Sequence, residues 1–493
     1  MLSYQSADNS HLHWRRTKII ATLGPASNSE NRIAELIDKG VNVFRLNMSH
    51  GSHDEHRELA AKVRRVAQRK KQQIALLMDL CGPKIRVGVF ENEQIKLTAG
   101  DNVIVSCSLS MGRDGLIPSQ YRNLYKDVKR DDRILLDDGK LELKVTSIRK
   151  KEVHCTVIYG GILKNKKGLN LPDSTISTTS FTAKDKRDSE LAIELEADYL
   201  ALSFVRSEKC IRTLKRFVEK SGGDIPVIAK IEKPEAIACI DNILAEADGI
   251  MVARGDLGIE MPAQQVPLIQ KDLINRARLY AKPVIVATQM LESMISNSKA
   301  TRAEVSDVAT AALSSADAVM LSAETASGDY PALAVSMMDD ILREMEAYQW
   351  HNGRFGEADF AKMSDKIEAD RKAVSSAVKS LADELRLQGI LVPTNSGATA
   401  RVLSAERPGA PLIGVSSNAA VCRRLALNWG VIPLYVAEEV SQNWHALSER
   451  VCEMCALAKT GNRVLLVSGF SDSAELNEPV VKLLHIDTGE SSS

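Results

Sequence analysis

The chain is poor in aromatic residues, 4% of its 493 positions, and it has no excess of either charge, with 64 Lys and Arg against 64 Asp and Glu. A balanced charge gives no global basic field of the kind that draws nucleic acid, and no acidic tail. No run of about 18 apolar residues occurs, so no membrane-spanning helix and no membrane partner are expected. The opening segment MLSYQSADNSHLHWRRTK has no apolar core like that of a signal peptide, and a cytoplasmic location is expected. Eight scattered cysteines do not make a disulfide framework. The one close pair, Cys452 and Cys455, lies in a helix-like run and reads as inert thiols.

What is present is a repeat. Short apolar, β-branched runs alternate with amphipathic stretches: TKIIATL, VNVFRLNMS and IALLMDL, then, after an interruption, YLALSFV, PVIAKIE, GIMVARGD, KPVIVATQ and DAVMLSAE. Helical patterns are expected over 28–39, 54–71, 185–196, 208–220, 234–247, 267–281, 301–314 and 331–347. Thr301 with Glu304 reads as a capping box, and Pro234 and Pro331 suit first helical turns. Eight strand-and-helix units with continuous apolar strands imply a closed (β/α)₈ barrel. The interruption, 87–178, alternates apolar and polar residues and carries turns such as Asp138-Gly139. It reads as an antiparallel β domain inserted after the third barrel strand, placed to act as a lid. The runs GILVPTN, PLIGVSS, VIPLYVA, RVLLVSG and VKLLHI predict a C-terminal open-sheet α/β domain. The expected division is a tail at 1–14, the barrel at 15–86 and 179–350, the insert at 87–178, the C-terminal domain at 351–487 and a tail at 488–493.

Chemistry in such a barrel sits where the strands end. Those ends carry Arg45, Asn47 and Ser49; Asp79; Ser203; Lys230 and Glu232; Arg254 and Asp256; Thr288; and Ser322 and Glu324. Helix caps and rim ion pairs could account for one such set; seven polar ends of eight favour a convergent site. Glu232 and Asp256 end neighbouring strands, and two carboxylates with room for water and substrate oxygens are the usual way Mg²⁺ is held. Residues two apart on a strand face one side, so Lys230 and Glu232 aim at one space. A lysine beside a metal can stabilise charge developing on a transferring phosphoryl group or an enolate. The ARGDLG turn can open a short helix whose amides hold a carboxylate. An adhesion reading of Arg254-Gly255-Asp256 conflicts with its place in the barrel mouth.

The ordered motifs TKIIATLGPAS, VFRLNMSHG, GPKIR, KKGLNLP, AKIE, MVARGDLG, ATQMLESM, TRAEVSDVA and DAVMLSAETASGDYP resemble pyruvate kinase over nearly the whole chain. The resemblance implies phosphoryl transfer from phosphoenolpyruvate to ADP, giving ATP and pyruvate, with Mg²⁺ and with Mn²⁺ as a substitute. It implies that Lys230 stabilises the phosphoryl group and enolate and that Glu232 and Asp256 bind Mg²⁺. Ala253, Arg254, Gly255 and Asp256 would hold the substrate carboxylate, and Arg45 its phosphate. Thr288, Ser322 and Glu324 would lie on the proton-delivery side. Arg86 and Lys167, with Asn47 and His50, would face the nucleotide. A homotetramer is also implied.

One motif departs from the family's common form. Relatives that need a monovalent cation hold it with Asn, Ser, Asp and Thr. Here Asn47, Ser49 and Asp79 match, but Leu80 replaces the Thr, and Lys84 stands where a Glu is usual. This resembles the branch that does not require K⁺, with the Lys84 ammonium as an internal cation; a solvent-facing Lys84 is the plain alternative. In the C-terminal domain, Thr394, Asn395, Ser396, Gly397, Ala398 and Thr399 precede a helix carrying Arg401. They read as an anion cradle or a plain helix cap, and in the family this loop holds the phosphate of an allosteric effector. The last loop carries Asp472, Glu475 and Glu478, which repel phosphate. A sugar monophosphate or AMP is therefore expected rather than a bisphosphate. Two other readings account for less of the sequence. A Mg²⁺-dependent lyase or aldolase would need no ADP and leaves Arg86, Lys167 and the insert unexplained. A silent metabolite sensor leaves Lys230, Glu232, Asp256 and Thr288 unexplained.

Overall fold

The computed structural model describes residues 15–352, 355, 369–436, 447–448, 450–451, 454–455, 463–470 and 478–486. Both tails, Cys452, Asp472 and Glu475 lie outside the described residues; Cys455 is a buried free thiol. Strands β1 (Lys18–Thr22), β2 (Val43–Asn47), β3 (Ala75–Asp79), β4 (Tyr199–Leu202), β5 (Val227–Ile231), β6 (Gly249–Ala253), β7 (Val284–Ala287) and β8 (Ala318–Leu321) form a closed barrel. All its pairings are parallel, and β1 closes it by pairing with both β2 and β8. Residues such as Ile20, Ile228, Met251 and Ile285 fill the interior, while their strand neighbours pack outward against the helices. That two-sided burial is why the strands read as continuous apolar runs.

The helices start where the sequence signals. The Thr301 hydroxyl accepts from the Glu304 amide at 3.3 Å, and the Glu304 carboxylate accepts from the Thr301 amide at 2.8 Å. Pro331 opens helix Pro331–His351. The expected helix over 234–247 is instead two, Pro234–Ala238 and Ile240–Glu246. They meet at Cys239 (φ −119°, ψ 28°), whose thiol donates to the Glu235 and Arg206 carbonyls, each at 3.1 Å. A side chain that bonds the preceding turn competes with the helical ladder.

The insert contains a six-stranded sheet and a two-stranded one. Its central hairpin joins Arg133–Leu136 to Leu141–Arg149 through Asp137, Asp138 and Gly139, all at positive φ. The expectation of an antiparallel domain holds for most of its pairings but not all: Asn102–Ser106 pairs in parallel with Leu116–Pro118, and Phe90 bridges Gly112 in parallel. Alternation reports which face a strand buries, and it does not report the direction of its partner.

The C-terminal sheet runs in the order Val431–Tyr435, Leu412–Ser416, Gly389–Pro393, Arg463–Ser468, Val480–His485. The last strand is antiparallel and the others are parallel. This domain packs under the barrel. Leu427, 1% exposed, enters the cluster of barrel-interior side chains from below. The Arg407 guanidinium meets Asp317 at 2.9 Å, with side chains 1% and 4% exposed. Three of the few aromatics, Trp350, Phe355 and Trp429, surround the Arg16 guanidinium, a cation–π arrangement that suits a desolvated interface. Lys18 donates to the Val431 carbonyl at 2.7 Å. Among the described residues no helix is long and apolar enough to cross a membrane.

Candidate active site

The polar strand ends converge at the upper rim. Lys230 lies in β5, and Glu232 stands just past its end on the same side, so the lysine ammonium is 3.0 Å from the Glu232 carboxylate. The same ammonium donates to the Ser203 hydroxyl at 2.7 Å and lies 3.3 Å from Asp79 at the end of β3. Arg45, in β2, grips Asp79 through Nε at 2.8 Å and Nη2 at 2.7 Å, and its Nη1 donates to the Thr22 hydroxyl of β1 at 3.1 Å. The Phe204 amide donates to Glu232 at 2.7 Å. Five strands thus contribute to one network.

Its electrostatics are uneven. Burial disfavours the Lys230 ammonium, but Asp79 and Glu232 outweigh burial and raise its pKa, so it stays charged. Burial also opposes ionisation of Asp79, yet Lys230 and Arg45 hold its pKa below the ordinary value. At Glu232 burial wins: its pKa is raised, with Lys230 opposing and Asp256 adding to the shift. A buried carboxylate whose charge is costly, with a second acid near enough to raise it further, suits a bound cation. Asp256 lies in the first turn of helix Arg254–Glu260 and lines the cleft between barrel and insert. Among the described residues no group of three or more His, Cys, Asp or Glu side chains assembles, so a cation there would take its remaining ligands from water and substrate.

At the end of β7, Thr288 and Gln289 both adopt positive φ, 70° and 53°. A β-branched residue there stores strain of about 1–3 kcal/mol, which the surroundings must impose. They do so through the Gly255 amide, which donates to the Thr288 hydroxyl at 2.7 Å, and Arg254, which donates to the Thr288 and Gln289 carbonyls at 3.2 and 3.1 Å. Glu324 is buried after β8, accepting from the amides of Ser322 at 2.7 Å and Leu291 at 3.2 Å, and burial raises its pKa.

Other expected residues lie further from this network. Asn47 turns its side chain onto the Ser49 amide at 3.2 Å, and Ser49 and His50 are exposed. Arg86 donates to the Lys166 carbonyl at 2.9 Å and bridges Gly168, while Lys167 pairs with Asp137 of the insert hairpin at 2.8 Å. Lys84 is exposed and lines the cleft with Asp138 and Asp256; among the described residues it forms no ion pair. The cation near Asp79 is Lys230, with Arg45, and Leu80 is buried. In the C-terminal loop the hydroxyls of Thr394 and Ser396 accept from the amides of Gly397 at 2.9 Å and Ala398 at 3.4 Å. Gly397, at φ 84°, makes the turn into helix Ala398–Glu406, Asn395 is exposed, and Thr399 is buried against Phe470. Sequence reasoning missed Thr22, Lys233, Glu260 and Asn170. The only signal for Lys233 was its place beside Glu232.

The barrel segment, residues 14–335, matches the family model described as the pyruvate kinase barrel domain, and residues 372–478 match the pyruvate kinase alpha/beta domain. The chain belongs to the pyruvate kinase family. The pyruvate kinase of Geobacillus stearothermophilus is 44% identical over 420 residues, covering 85% of this chain and 71% of that one. That of Thermococcus litoralis is 41% identical over 427 residues, covering 87% and 90%. The crystal structure of a pyruvate kinase from Cryptosporidium parvum superposes with a TM-score of 0.88 at 31% identity, covering 98% of both chains. Membership in the pyruvate kinase family makes the chain a phosphotransferase.

Proposed function

We propose that the chain is a cytoplasmic, homotetrameric enzyme that transfers the phosphoryl group of phosphoenolpyruvate to ADP, giving pyruvate and ATP. The observation that carries this reading is the charged Lys230 ammonium, 2.7 Å from Ser203 and 3.0 Å from Glu232, near enough to Asp256 to feel its charge. A fixed ammonium in a site shielded from water stabilises charge on a transferring phosphoryl group and on the enolate left behind. Arg45 is held by Asp79 and Thr22 with its guanidinium plane fixed, which suits bidentate binding of phosphate. Ala253 to Asp256 bind the substrate carboxylate, and Thr288, Ser322 and Glu324 serve proton delivery to the enolate carbon. Arg86 and Lys167, with Asn47 and His50, meet the nucleotide. Glu232 and Asp256 would hold Mg²⁺, or Mn²⁺ in its place, which when bound supplies neutralising charge at the phosphoryl oxygens.

The reading predicts ATP formation that needs both phosphoenolpyruvate and ADP, and it fails if purified protein gives none. Lys230→Met is expected to lower kcat about a thousandfold in protein whose circular dichroism is unchanged; full turnover in that variant would remove the proposed role of the lysine.

We also propose that turnover needs no K⁺. Support comes from Leu80, which has no side-chain oxygen and whose carbonyl already accepts from the Ser203 hydroxyl at 2.7 Å, and from the cations already gathered in and around the cleft. In a tetramethylammonium buffer, added K⁺ is expected to change the rate less than twofold, and strong activation would end this reading. A phosphorylated effector, a sugar monophosphate or AMP, is proposed at Thr394 to Thr399. Titrating each into the assay and weighing the oligomer by light scattering test these finer points.

A further inference from the structure

We propose that Glu260 is a positioning residue that latches the insert to the two strand exits carrying Glu232 and Asp256. Closure of the insert and the spacing of those carboxylates would then be set together. The proposal rests on the phosphoryl-transfer reading above.

The geometry joins three segments at one oxygen. Lys233 donates to Glu260 Oε1 at 2.6 Å, and Asn170 donates through its side-chain amide to the same oxygen at 2.9 Å. Lys233 directly follows Glu232, so the first bond fixes the exit of β5. Glu260 stands four residues after Asp256 on helix Arg254–Glu260, so the same carboxylate fixes the exit of β6. Residues four apart share a helix face, so a pull on Glu260 is felt at Asp256. Asn170 belongs to the insert, in the short strand Leu169–Asn170 paired with Arg133–Leu136. Asn170, Lys233 and Asp256 line the same cleft.

Stability alone is a poor explanation for this arrangement. Lys233 and Glu260 are 4% and 6% exposed, and a buried ion pair is often replaceable by apolar side chains without loss. The pair is also incompletely satisfied: one Glu260 oxygen takes both donors, while Oε2 is buried without a hydrogen-bond partner. A carboxylate placed for stability would use both oxygens. One that gains and loses a donor as the insert moves would be left in this condition.

The test uses the full-length protein and three measurements, the last two made together. The first is amide hydrogen exchange over residues 165–172 without substrate or metal. The second is steady-state kinetics with varied ADP, together with Mn²⁺ binding followed by paramagnetic resonance. Asn170→Ala is expected to speed exchange in that segment about tenfold. It should raise the KM for ADP about tenfold and weaken Mn²⁺ binding about threefold, with kcat within twofold of the parent; loss of one hydrogen bond to a charged group is of this size. Asn170→Gln keeps an amide donor and is expected to recover most of all three effects. Exchange and KM within twofold of the parent in Asn170→Ala would overturn the latch, as would a fall in kcat at constant KM. Should Asn170→Ala fail to fold, Glu260→Gln is read with the same thresholds. If the parent shows no phosphoryl transfer, the functional reading falls, and the exchange measurement still decides the latch.

Discussion

At the scale of single residues, burial decides what each charge can do. Lys230 keeps its proton because two carboxylates stand within 3.3 Å of its ammonium. Lys18 is the contrast. It is 4% exposed at the opposite end of the barrel, and burial, helped by Arg15, pushes its pKa down to about 7. In the unfolded chain an ordinary lysine holds its proton to about pH 10.4. Between about pH 7 and that value the unfolded state therefore binds more proton, so Lys18 makes stability rise as pH rises through this window and fall as pH drops towards 7. Lys18→Met is expected to flatten that part of the Tm-against-pH curve, measured by calorimetry. An unchanged slope would show that Lys18 does not titrate there. The pairing of Lys230 with Glu232 was legible in the sequence, because strand period alone puts them on one side. The contact of Lys230 with the Ser203 hydroxyl was not, because Ser203 ends another strand.

At the scale of elements, the caps carry much of the local specification. The reciprocal bonds of Thr301 and Glu304 begin helix Arg302–Leu313, and the same carboxylate accepts from the Ser293 amide at 2.6 Å. Thr301→Ala is expected to cost about 1 kcal/mol in urea unfolding with the m-value unchanged. A loss below 0.3 kcal/mol would mean the box is not used in solution. Such caps could be read in advance because they are local: the groups that bond are three residues apart. The break at Cys239 depends partly on Arg206, 33 residues away, and the parallel pairing of Asn102–Ser106 with Leu116–Pro118 depends on strand direction, which alternation does not report, so neither was legible. The latch of Lys233, Glu260 and Asn170 was hidden for the same reason, since its three members come from separate segments.

At the scale of the whole molecule, the barrel and the C-terminal domain share a desolvated boundary. Arg407 caps helix Ala398–Glu406, the helix that follows the Thr394 to Thr399 loop, and its guanidinium donates to the Ser315 carbonyl at 2.8 Å and to Asp317 at 2.9 Å. Asp317 stands just before β8, whose far end leads to Ser322 and Glu324. Arg407→Met leaves a buried acid without its cation and is expected to cost about 3–5 kcal/mol, seen as a lower urea midpoint; a loss under 1 kcal/mol would show that water reaches Asp317. The division into barrel, insert and open sheet was visible as changes in hydrophobic period. The way the parts sit on one another was not.

Leu427 gives this boundary a wider meaning, since the hollow of the barrel is finished by a side chain from another part of the polypeptide. Cut away from its neighbour, the cylinder would have an open drain at its base, with Ile20, Ile228 and Met251 wetted from beneath. Recombination that moved the barrel without the C-terminal domain would have to supply a new stopper for the hole that Leu427 fills.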